Sequence, residues 1–119
     1  MKLAFEMNAW GGVVGTPGAV TDIGSGFYVT PGDVTVGLDA AAAAGFAGFE
    51  LFDGNLLPFE DDMQTLRAAA ADRGLTPVGV YSGGHFIYRD AHADELARFT
   101  RSIALASSLG ARHFVLGGG

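Results

Sequence analysis

Ala44-Gly45-Phe46-Ala47-Gly48-Phe49-Glu50-Leu51-Phe52-Asp53-Gly54 is the stretch on which the reading of the fold turns. It holds the end of a helix, a glycine, a short apolar run and a polar, glycine-bearing tip. The same grammar returns in Arg73-Gly74-Leu75-Thr76-Pro77-Val78-Gly79-Val80-Tyr81-Ser82-Gly83-Gly84, and again in Leu109-Gly110-Ala111-Arg112-His113-Phe114-Val115-Leu116-Gly117-Gly118-Gly119. The anchoring glycines 45, 74 and 110 are 29 and then 36 residues apart. That period fits one β/α unit, in which a helix of a few turns carries the chain back so that the next strand lies parallel to the last.

The flanking segments agree with this unit. Thr30-Pro31-Gly32-Asp33 offers a Thr N-cap, a Pro at the first helical position and an acid in the first turn, which predicts a helix to about Ala44 with Gly45 as its C′ stop. Val34, Leu38 and Ala41 or Ala42 form its apolar stripe. The strand from Phe46 to Phe52 is apolar on both faces apart from Glu50. Glu60-Asp61-Asp62 places acids at the positive end of a second helix running through Met63, Leu66, Ala69 and Ala70 to Arg73. A strand over Pro77 to Tyr81 follows. The third helix starts between Asp90 and Asp94, carries Leu96, Phe99, Ile103 and Ala106 on one stripe and ends at Gly110, before a strand from His113 to Leu116. Upstream, Lys2 to Ala9 reads as a strand closed by Trp10-Gly11-Gly12. The glycine-rich run from Gly11 to about Thr30 has no period. It is either a cover over an active site or a disordered insertion, and Val13, Val14, Ile23, Phe27 and Tyr28 favour the cover.

Four strands and three helices joined by right-handed crossovers make an α/β protein built as a parallel (β/α) repeat. No G-x-G-x-x-G or Walker pattern follows the first strand, which disfavours a doubly wound nucleotide fold. A (β/α)8 barrel takes about 250 residues. The 119 residues present are about half of that, so the expected architecture is half of a TIM barrel. On this reading residues 1–119 are a single N-terminal half-barrel fragment: a strand at 2–9, a long loop at 11–30, then three α/β units.

Composition narrows the function. With 49% apolar residues the chain can form one cored domain. Thirteen acids against seven scattered Lys and Arg give a net charge of −6, which argues against a nucleic-acid partner. Without cysteine there is no disulfide framework and no thiolate metal site. Glu6 interrupts any signal-peptide core, and the longest uncharged apolar run, residues 40–49, is about half of a membrane span. The expectation is a cytoplasmic protein with no membrane partner.

With the first strand, the helix end and Gly-Phe-x-Gly-Phe-Glu-Leu-Phe-Asp-Gly run at 42–54, and the run at 109–119, the chain resembles the sugar phosphate isomerase/epimerase family, whose fold is the xylose-isomerase-like TIM barrel. The resemblance covers the family's first half. It implies aldose-ketose isomerisation or epimerisation of a sugar or polyol by metal-assisted proton transfer once a barrel is complete, with this chain inactive alone. It also implies a divalent metal held by acids and a histidine at the tips of strands five to eight. None of those strands is read in this sequence, so catalytic residues stay unassigned and no metal is expected on this chain alone. The alternatives are a non-catalytic half-barrel that binds ligand and completes itself as a homodimer through open sheet edges, and a small open α/β binding domain.

The candidate substrate-binding residues are Glu6, Asn8, Trp10, Glu50, Asp53, Asn55 and His85. Glu50 lies within an apolar strand, where a carboxylate needs a partner; it orients a catalytic group, meets a sugar hydroxyl, or belongs to a structural network. Glu6 and Asn8 share a face of the first strand, with the same alternatives. Trp10 is a wall for the carbon face of a sugar or a buried plug. Asp53 and Asn55 follow strand two, as polyol contacts or as turn residues. His85 follows strand three, but strand two ends without a histidine, so the zinc cluster of abasic-site endonuclease relatives is not supported. His113 enters its strand at the N-terminal end and reads as structural. Arg89 alone is basic near a strand tip, so no phosphorylated substrate is inferred.

Overall fold

The computed structural model describes residues 1–8, 20–22 and 24–118. In chain order the elements are β1 (Ala4–Glu6), β2 (Val20–Thr21), β3 (Tyr28–Val29), α1 (Val34–Ala43), β4 (Gly48–Phe52), α2 (Met63–Asp72), β5 (Thr76–Gly84), α3 (His92–Leu109) and β6 (His113–Gly118). Short 3-10 segments lie at Asp53–Phe59 and Arg89–Ala91. β1, β4, β5 and β6 form one parallel sheet in that order. Sequence neighbours are thus neighbours in space, as a (β/α) repeat requires, and the sheet has half the strands of a (β/α)8 barrel.

One face of this sheet carries the core. Phe49, Leu51 and Val80 are fully buried among Leu38 of α1, Leu66 of α2, and Leu105 and Leu109 of α3. Burying each such side chain is worth about 1.5–3 kcal/mol, and a one-residue slip would turn them all outward. Those side chains therefore set the register, and Glu50 between them is sent to the opposite face. The glycines behind each helix do what the repeat predicts: Gly45, Gly74 and Gly110 have φ of +83°, +68° and +88°.

Several boundaries differ from the sequence reading. Asp33, not Thr30, caps α1, its Oδ1 accepting from the Thr35 N–H at 2.8 Å. Thr30 is buried instead, and its hydroxyl donates to the Met7 carbonyl at 2.7 Å. β1 is confined to Ala4–Glu6, the residues that face β4 in register, and the Met7 N–H makes one further bond to the Glu50 carbonyl at 2.9 Å. The expected end at Trp10-Gly11-Gly12 lies outside the described residues. β5 runs on through Ser82-Gly83-Gly84 and β6 through Gly117-Gly118 because the two glycine tips pair with each other. Pro77 is tolerated in central β5 because the ladder is interrupted beside it: Phe49 pairs with Pro77 but Glu50 with Gly79, leaving Val78 as a bulge.

In α3 the buried face is Phe99, Ser102, Leu105, Ala106 and Leu109, while Leu96 and Ile103 of the expected stripe are exposed. The rotation is set by polar Ser102, which faces inward to a carboxylate described below.

Within the expected loop, β2 and β3 form an antiparallel ribbon, Val20 opposite Val29 and Thr21 opposite Tyr28. Phe27 is buried, and the Tyr28 ring packs against Phe52 and Tyr81 at the C-terminal end of β4 and β5. That part of the segment covers the sheet end. Among the described residues no helix is long and apolar enough to cross a membrane.

Candidate functional site

Because side chains alternate along a strand, the face away from the helices receives Glu6 of β1, Glu50 of β4, Gly79 of β5 and His113 of β6. The register makes them one row across the sheet: Glu6 pairs with Glu50, Glu50 with Gly79, and Gly79 with His113. Neighbours in such a row are about 4.8 Å apart. Gly79 leaves room there, since a β-carbon at that position would meet Glu50 Oε2 and push the carboxylate aside. The Glu50 carboxylate therefore lies over the gap, on the His113 side.

The electrostatics follow from this placement. Glu50 is half-buried, and its carboxyl is pushed above the ordinary glutamate value, first by desolvation and then by the like charge of Glu6, with His113 pulling the other way. Glu6 and His113 are exposed. Beyond the row, toward the strand C-termini, Phe52 and Tyr81 meet edge to face at 5.3 Å between centroids, and Tyr28 stacks on Phe52 at 6.1 Å. Tyr28 also lies across the backbone of Gly83. The face thus has an acidic row bounded on one side by an aromatic wall.

Behind the wall is a buried polar network that holds the ribbon in place. Asp53 Oδ1 accepts from the Tyr28 N–H at 3.0 Å and the Gly54 N–H at 2.9 Å. Its Oδ2 accepts from the Ser82 and Ser102 hydroxyls at 2.6 and 2.9 Å and lies 3.4 Å from Arg98 Nη1. Arg98 also donates to Ser82 Oγ and to the Gly83 carbonyl, and its guanidinium sits 4.5 Å from the Phe99 ring centroid. Asn55 pairs with the Thr30 backbone like a peptide unit, Oδ1 accepting from Thr30 N–H and Nδ2 donating to Thr30 C=O, both at 2.9 Å.

A family model described as xylose isomerase-like TIM barrel matches residues 38–119, more than half of the chain. The chain belongs to the xylose isomerase-like TIM barrel family. No curated protein and no solved structure matches it.

In this xylose isomerase-like chain, two of the residues singled out from the sequence come together, Glu6 and Glu50. Asn8 lies two residues beyond β1, exposed, its N–H bonded to the Glu6 carbonyl at 2.9 Å. Trp10 lies outside the described residues. Asp53 and Asn55 correct the sequence reading: both are buried, and their polar atoms are engaged by the chain itself, so they position the ribbon rather than present groups to a ligand. His85 stands apart, exposed on the loop after β5, its ring 6.1 Å from Tyr88 and its N–H bonded to Glu95.

His113, Tyr28 and Tyr81 were not singled out as ligand-facing. The sequence does hold a trace of Tyr81, which shares with Gly79 the alternate positions of one strand. His113 has no such trace. It stands three residues beyond its anchoring glycine, whereas Glu50 and Gly79 stand five beyond theirs, and the offset arises from the stagger of β5 and β6. Among the described residues no group of three or more histidine, aspartate and glutamate side chains could hold a metal ion. The donor set described here does not fit the divalent ion that the family resemblance implies.

Proposed function

We propose that this chain serves sugar isomerase/epimerase-like chemistry, with a sugar or polyol lying on the helix-free face of the sheet and Glu50 as the group that moves a proton. The observation that carries this reading is the row Glu6, Glu50, Gly79, His113. It sets one half-buried carboxylate between a second carboxylate and an imidazole. A carboxyl raised above its ordinary value is closer to the midpoint at which a group both accepts and returns a proton, which suits isomerisation and epimerisation. Tyr28 and Tyr81 offer ring faces or edges to the carbon side of a sugar. Glu6 and Asn8 supply polar groups at and just beyond the end of β1.

The test follows solvent exchange. The 119-residue chain, shown to be folded by circular dichroism, is incubated with a panel of aldoses and ketoses in D2O, with and without Mg2+ or Mn2+. Loss of the proton on the carbon next to the carbonyl is followed by NMR. The family resemblance places the full reaction in a complete barrel, but proton exchange at Glu50 asks only for the row. Exchange that Glu50→Gln slows at least tenfold, at unchanged circular dichroism, is the expected result. A folded chain that neither exchanges any of these protons nor gives a saturation-transfer signal from any sugar would end the proposal.

A second reading has its own observation. β1 and β6 are the edges of the described sheet, and Val115 and Leu116 on β6 are 39% and 45% exposed. Such an edge favours association with another chain. A binding module that self-associates without turnover would give sugar saturation-transfer signals, no deuterium uptake and a dimer mass by light scattering.

A further inference from the structure

At the other end of the strands, the N-terminal end, the sheet carries a cavity of about 490 Å³. That size falls in the range of small-molecule pockets. Its rim holds Lys2 before β1, and Arg112 and His113 at the start of β6, and among the described residues no carboxylate lines it. In a chain of net charge −6 this is a local reversal of sign. Among the described residues Arg73, Arg98 and Arg101 are committed to Asp39, Asp53 and Glu60, whereas Lys2, Arg67, Arg89 and Arg112 take no carboxylate, and of these four Lys2 and Arg112 border this cavity.

The floor is open because it is built from small residues. Ala4 pairs with Gly48, and Gly48 with Thr76. A β-carbon at Gly48 would come within 2.8 Å of both the Thr76 carbonyl and Val78 Cγ2, so glycine keeps the strands close there and the floor low. β1 and β6 are three strand spacings apart, about 14 Å along the sheet. Lys2 and Arg112 border the cavity from these opposite edges, so an oxyanion held in it lies between the two cations. The nearest acids on this face, Glu6 and Glu50, lie one repeat of the strand beyond Ala4 and Gly48, about 6.6 Å on, with Glu50 turned toward His113. They repel a second negative charge from the upper part of the face and confine the anion to the rim.

We infer that the N-terminal end of the sheet is an anion site of the phosphate class, gripped by Lys2 and Arg112 with His113 at its wall. Arg112 supplies a planar fork to two phosphate oxygens and Lys2 a point charge to a third. The site borders the proposed sugar face at His113, but its grip rests on Lys2 and Arg112, which take no part in the sugar chemistry, so each reading stands if the other fails.

The test is a titration of the 15N-labelled chain with inorganic phosphate at constant ionic strength. Saturable shifts confined to Leu3, Ala4, Ala47, Gly48, Thr76, Val78 and His113 are expected. Lys2→Gln combined with Arg112→Gln should weaken the apparent Kd at least tenfold while circular dichroism stays unchanged, since both side chains are exposed. Tighter binding of glycerol phosphate than of phosphate would identify an organic phosphate ester, and equal binding the free anion. The inference is overturned if sodium chloride gives the same shifts, if the double variant binds within twofold of the parent, if citrate binds more tightly than phosphate, or if the shifts centre on Tyr28 and Tyr81.

Discussion

Glu50 and Gly79 stand opposite each other across β4 and β5, and the Glu50 carboxylate occupies the space that a side chain at 79 would need. An acid in an otherwise apolar strand is tolerated because its neighbour has no side chain. Gly79→Ala should displace the carboxylate, and because the atom it meets is the free end of a flexible side chain the cost should be about 1 kcal/mol or less. Urea unfolding of the variant measures it; equal stability, with the Glu50 carboxyl resonance unmoved, would remove Gly79 from the site.

The titration of Glu50 has a definite sign. Its folded value lies above the unfolded one, so the native state binds more protons through that interval and stability falls as pH rises through it. The contribution is fully present below the unfolded value and lost above the folded value. Glu50→Gln should flatten this part of the stability profile. By 13C NMR, Glu6→Gln should lower the Glu50 midpoint and His113→Gln should raise it, and shifts in the opposite sense would contradict the row.

Asp53 is predicted to be structural in a strong sense. Asp53→Ala leaves Arg98, Ser82, Ser102 and the Tyr28 N–H without their shared acceptor, and loss of one partner of a buried pair costs about 3–5 kcal/mol. Against a total of about 5–15 kcal/mol that can unfold the chain. Ser102→Ala is the milder probe, expected to cost about 1 kcal/mol in chemical denaturation.

The ribbon should loosen without global unfolding when its clasp is cut. Asn55→Asp keeps the acceptor for the Thr30 N–H but sets an oxygen against the Thr30 carbonyl, a buried mismatch of about 1–3 kcal/mol. Hydrogen exchange should quicken at Tyr28 and Thr30 while Phe49 and Val80 stay protected. Uniform acceleration across the sheet would show instead that Asn55 supports the whole fold.

How much of this was legible varies by residue. Glycines 45, 74 and 110 announced the repeat because left-handed helix stops leave a local signature. Glu6 and Glu50 were legible as candidate site acids because each interrupts an apolar run. For Asp53 the choice between polyol contact and turn residue stays open in the sequence, because an Asp-Gly-Asn turn looks the same whether it faces solvent or core. Its burial depends on Ser102, 49 residues away, and on Arg98, 45 residues away. Thr30 carried a capping signature that tertiary contacts with Met7 and Asn55 overrode.

The sequence by itself determined the α/β repeat, the helix stops and the face on which Glu50 lies, because each depends on local conformation or on the two-residue period of a strand. Tertiary structure alone decided the register between strands, including the Val78 bulge that aligns Glu50 with Gly79 and the stagger that brings His113 into the same row. Register comes from packing side chains distant in sequence against one another, and no local pattern encodes it.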